Sequence, residues 1–187
     1  MRLRAVPMLL AAACLAGAGA GPAEAARSAD TPVAREARSW EQMMSRSAVL
    51  GMQLAMQKGQ DEGKTSAAFV ECVNGIDASV LVPQFKVVMG QLLTPDEARE
   101  TERFWRSDTG AHVGELLLAQ MARQLGFVPA HDPPQLNPQE QSLVEASNAS
   151  PATRKLMAES ARTQGMFSPD VKTRLIDLLK ACRDKNK

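Results

Sequence analysis

The chain has no tyrosine and only two tryptophans and five phenylalanines, so 4% of its 187 residues are aromatic. Its core must therefore rest on Leu, Met, Val and Ala with a few Phe. A charge surplus is missing too, since 22 basic side chains face 21 acidic ones. A nucleic-acid binder neutralises phosphates with a basic surplus or stripe, and none is visible, so no nucleic-acid partner is expected. Past the N-terminal run, no apolar stretch reaches the roughly 18 residues that cross a bilayer, which excludes a transmembrane segment. Period-two alternation is nowhere long enough for a convincing strand; Val80-Leu81-Val82 comes nearest and continues as helix. G-x-S-x-G, H-E-x-x-H, Walker and Rossmann glycine patterns are all absent. Histidine is confined to His112 and His131, neither in the setting a serine hydrolase needs.

What is present begins with an address. Arg2 and Arg4 precede the apolar and small-residue run MLLAAACLAGAGAG, and Ala23-Glu24-Ala25 supplies an A-x-A cleavage site. That three-part layout is a secretory signal peptide over residues 1–25, with Ala18-Gly19-Ala20 as the alternative cut. The expected location is the periplasm. Cys14 follows Ala11-Ala12-Ala13 without the Leu usual three positions upstream of a lipidated cysteine. It reads as a small apolar residue of the signal, with lipoprotein anchoring the alternative. Cleavage leaves 20 basic and 20 acidic side chains.

Export leaves two cysteines, Cys72 and Cys182, and an even pair in an oxidising compartment reads as a disulfide. Closing a loop of roughly 110 residues contributes about 4–5 kcal/mol as an upper estimate.

Residues 26–33 are polar and expected to be loose, and 34–187 read as a single all-α domain, a bundle of about seven or eight helices. A first helix is expected from Ala34 to Lys58, striped by Trp40, Met44, Ala48 and Met52. A second spans Thr65 to Ile76 and a third Leu81 to Leu92, with Pro83 in its first turn. Thr94, Pro95 and Glu97 form a capping box, and Ala98, Thr101, Phe104 and Trp105 are expected inward. The next helix should bury Val113, Leu117, Met121 and Leu125. Asn137, Pro138 and Glu140 repeat the capping grammar, with Leu143, Val144 and Ala146 as a weaker apolar face. LLAQMARQLGF from Leu117 then aligns with LMAESARTQGM from Leu156. The two segments read as a duplicated helix-turn-helix unit, with residues 136–166 as the second part. The offset is 43 residues before the inter-helix junction and 39 after it, which places a loss of four residues at that junction. The alternative is shared capping chemistry alone. A last helix over 168–185 should bury Val171, Leu175, Ile176, Leu178, Leu179 and Cys182.

LTPDEARETERFWRSDTGAHVGELL resembles the exported, α-helical bacterial family catalogued as domain of unknown function 2059, over roughly residues 65–125. The likeness rests on Thr94 and Glu97, the aromatic pair Phe104-Trp105, Arg106, Ser107 and Gly110. Trp105 stands where that family usually has Tyr. The resemblance implies a helical fold and an envelope location, and no reaction.

The charged groups read as ordinary surface. His112 and Glu115 lie one turn apart without further metal ligands, and His131 sits in the Pro-rich linker. Met43, Met44, Met52 and Met56 have the spacing of a core stripe rather than a copper site. Asp96–Arg99, Glu100–Arg103 and Glu102–Arg106 fit helix-surface ion pairs. No catalytic, metal or cofactor-binding residue is assigned and no cofactor is expected. The leading expectation is a non-catalytic periplasmic protein that binds an envelope protein partner. The alternatives are a lipid or other apolar ligand in a methionine-lined groove between helices, and an enzyme whose carboxylates converge only on folding.

Overall fold

The computed structural model describes residues 39–129, 131–163, 165 and 167–186. The expected signal peptide, Cys14, the stretch 26–33 and residues 34–38 of the expected first helix lie outside the described residues. Among the described residues there are eight helices and no strand: α1 Trp40–Asp61, α2 Ala67–Asn74, α3 Val82–Leu92, α4 Pro95–Trp105, α5 Asp108–Gln124, α6 Pro138–Ala149, α7 Pro151–Arg162 and α8 Pro169–Lys185. The all-α expectation holds.

Local chemistry starts these helices. Ser39, Ser66, Thr94, Ser107, Asn137, Ser150 and Ser168 each accept a hydrogen bond from the backbone N–H three residues on. Proline occupies the first turn of α3, α4, α6, α7 and α8, where its missing N–H costs least.

Helix α1 is the hub, packed against α2, α3, α4 and α5. The larger core cluster forms around Trp40, Phe85 and Phe167, whose rings meet edge-on at 5.7, 5.4 and 5.8 Å. Phe167 reaches it from a left-handed backbone position, φ 56°, which costs a side-chain-bearing residue about 1–2 kcal/mol. Burial of its ring offsets that cost. Its N–H also donates to Thr163 Oγ1 at 2.8 Å, and that hydroxyl donates to the Glu159 carbonyl at 2.7 Å. A smaller cluster gathers Met52, Val73 and Cys182. The Cys72–Cys182 disulfide is formed, with Cα atoms 5.6 Å apart, and joins α8 to α2. Ser45 is fully buried on α1; its hydroxyl donates to the Ala78 carbonyl at 2.6 Å and accepts from Leu81 N–H at 3.1 Å. That pair of bonds docks the α2–α3 turn onto the hub.

Several inward assignments change. Ile176 is exposed, because α8 covers α2 and α3 with only one narrow face. In α5 the fully buried apolar side chains are Val113, Leu118, Ala119 and Ala122, while Leu117, Met121 and Leu125 are half-buried. Helix α6 buries no residue: Leu143 and Ala146 are exposed and Val144 half-buried, since its main packing is against α5 and α7.

The α4–α5 and α6–α7 hairpins face each other, α4 against α7 and α5 against α6. Thr94 to Ser107 and Asn137 to Ser150 are equal intervals between helix N-caps, so the two units stay in step through the junction. The loss expected at the junction falls instead within the second helix, where α5 has 17 residues and α7 has 12.

Candidate functional site

Helix α4 supplies most of the site. Its first turn is a complete capping box: Thr94 Oγ1 accepts from Glu97 N–H at 3.3 Å, and Glu97 Oε2 accepts from Thr94 N–H at 2.8 Å. Arg99, Arg103 and Arg106 then recur at four- and three-residue spacing, which sets them along one face. At the other end, Ser107 Oγ donates to the Phe104 carbonyl at 2.6 Å and accepts from Gly110 N–H at 3.1 Å. One hydroxyl thus closes α4 and opens α5. A Cβ on Gly110 would lie 2.2 Å from the Phe104 carbonyl oxygen and 2.8 Å from Trp105 Cα, so this corner requires glycine. The stretch Phe104-Trp105-Arg106-Ser107-x-x-Gly110 is therefore a tight helix–helix corner. Phe104 and Trp105 meet edge-on at 5.6 Å and both remain half-buried, with Trp105 packed against the larger core cluster.

Two adjoining clefts, of about 490 and 660 Å³, open between the first turn of α1, helix α3 and helix α4. They share Glu41, Glu102 and Arg106. Val82 and Lys86 of α3 line the first; Met89, Ala98, Arg99 and Arg103 line the second. Four cations and two carboxylates thus line the two clefts in a chain whose charge is nearly balanced. Arg106 pairs with Glu102 at 2.6 Å, and Arg99 pairs with Asp96. The expected Glu100–Arg103 pair does not form. Arg103 and Lys86 have no carboxylate partner among the described residues. Glu41 is 8% exposed, and its Oε2 has no hydrogen-bond partner among the described residues. A buried carboxylate oxygen without a partner is costly, and Glu41 carries that cost beneath the clefts.

The other assigned residues lie elsewhere. His112 pairs with Glu140 at 2.6 Å on α6, not with Glu115 on its own helix. His131 is exposed in the linker. Met43 and Met52 are buried, and Met44 and Met56 pack against the two core clusters, so the stripe is core. Of the residues lining these two clefts, Met89 of α3 is the one methionine. The cleft does gather Glu41 and Glu102, the convergence that a carboxylate enzyme requires, but Glu102 is committed to Arg106. Among the described residues no group of three His, Cys, Asp or Glu is placed to hold a metal.

Opposite the cleft, Glu97 also accepts from Lys155 Nζ of α7 at 2.8 Å. That ammonium, and next the Thr94 N–H, hold the Glu97 carboxyl below the usual carboxylate range. Sequence reasoning missed Glu41 and Lys86. Glu41 follows a cap, where an acid reads as a helix-dipole residue, and nothing local shows that α3 and α4 close over it. No family model, curated protein or solved structure matches the chain.

Proposed function

We propose that the chain is an exported, non-catalytic binding protein of the bacterial envelope that engages a protein partner through the α1–α3–α4 cleft. The observation that carries this reading is Lys86 and Arg103, which have no carboxylate partner among the described residues and line two adjoining clefts that share the buried Glu41. Charged groups left unpaired around a concave opening favour a complementary partner and steer its approach. The N-terminal layout supports export, and the likeness to domain of unknown function 2059 supports the envelope.

A photo-crosslinking side chain placed at Lys86 in cells should give a discrete adduct with one envelope protein. The same group at Leu143, on exposed α6, should give none. Identical adduct patterns at the two positions would remove the cleft as the binding face. N-terminal sequencing of the exported form should begin at Ala26, and an intact Met1 in the envelope fraction would contradict cleavage.

A further inference from the structure

We infer that the cleft takes an acidic peptide segment in extended conformation, an assignment that rests on the binding reading above. The three arginines on one face of α4 make a linear array rather than a point. Arg99 and Arg103, four residues apart, are spaced about 6 Å along the helix axis. Same-face side chains of an extended strand repeat about every 6.8 Å, so acidic residues at alternate positions would fall in step with the arginines. Lys86, on α3, lines the adjoining cleft, which it shares with Arg106 at the end of the array. The Arg99–Asp96 pair is solvent-exposed, so a ligand carboxylate can exchange for Asp96 at small cost. The two adjoining clefts together form an opening longer than one small anion fills.

The test is fluorescence anisotropy with two blocked, labelled peptides, one alternating Glu with Ala and the other alternating Lys with Ala. At low ionic strength the acidic peptide should bind at least about tenfold more tightly, with affinity falling as salt rises. Lys86 and Arg103 are both exposed, so the double variant Lys86→Glu, Arg103→Glu should fold, as its circular dichroism would show, and should prefer the lysine peptide. Leu143→Glu, away from the cleft, should bind as the parent does. Equal affinity for the two peptides, or a double variant that keeps the acidic preference, would overturn the assignment. So would displacement of the acidic peptide by inorganic phosphate or by phosphatidylglycerol vesicles at matching anion concentration. Partner adducts at Lys86 without an acidic preference would preserve the binding reading and overturn the peptide chemistry alone.

Discussion

The α4–α5 and α6–α7 hairpins begin with the same chemistry and end up in different surroundings. Each opens on a capping box with proline in the first turn, and each turns its corner on a serine N-cap. Each also sends its capping glutamate across to the other hairpin. Glu97 meets Lys155 at 2.8 Å, and Glu140 meets His112 at 2.6 Å. His112 and Lys155 both stand five residues after their helix N-caps, so the two links are reciprocal. A duplicated unit packed face to face would give this pattern. The difference lies in what the first helix of each hairpin meets. Helix α4 packs against α1 and α3 and forms a wall of the cleft, whereas α6 stays on the surface with no buried residue. The same helix-starting grammar thus serves a cleft wall in one hairpin and a peripheral strut in the other.

The largest expected effect should spare this distinction. Both hairpins lie inside the loop closed by Cys72–Cys182, so loss of that bond loosens them together. Cys72→Ala with Cys182→Ala should lower unfolding free energy by up to about 4–5 kcal/mol in urea denaturation, still as one transition. Two separated transitions would show that the hairpins fold independently of the hub.

Next come the corners. Gly110 and Thr153 are the third residues after Ser107 and Ser150, and the second corner accepts a threonine where the first has no room for a methyl. Gly110→Ala should cost about 2–3 kcal/mol through forced displacement of the Phe104–Trp105 backbone. Thr153→Ala should cost well under that, about 0.5 kcal/mol. Equal losses in thermal melts would erase the asymmetry.

The smallest effect concerns acid. Lys155, and then the Thr94 N–H, depress the Glu97 carboxyl in the fold. Glu97 therefore stabilises the native state above the ordinary carboxylate range, and that contribution is lost as pH falls through its depressed value. Glu97→Gln should be less stable than the parent near neutral pH, and the gap should narrow as pH drops below the carboxylate range. A gap constant with pH in denaturant melts would mean that the link to Lys155 is not the source.

Much of the fold was legible because its signals are short-range. A cap such as Thr94 or Asn137 acts on an N–H three residues away, so neighbours in sequence suffice to start α4 and α6. The pairing of Cys72 with Cys182 followed from parity and the expected compartment, without geometry. Ion pairs along α4 were legible in two cases of three: Glu102–Arg106 and Asp96–Arg99 form, and Glu100–Arg103 does not. Spacing permits a pair, and packing selects it. Phe167 gave no signal of its core role, because it is reached through a left-handed turn after α7 and not through helical periodicity.

Taken alone, the sequence determined an all-α chain, where most of its helices start, which cysteines pair, and that its charges nearly cancel. These depend on contacts within a turn of helix or on composition. Only the tertiary structure decided that Lys86 and Arg103 line adjoining clefts joined at Glu41, that α6 lies outside, and that each capping glutamate reaches into the other hairpin. The physical reason is that these arrangements join helices far apart along the chain. Their approach is set by how α1 buries its apolar faces, and no local pattern encodes it.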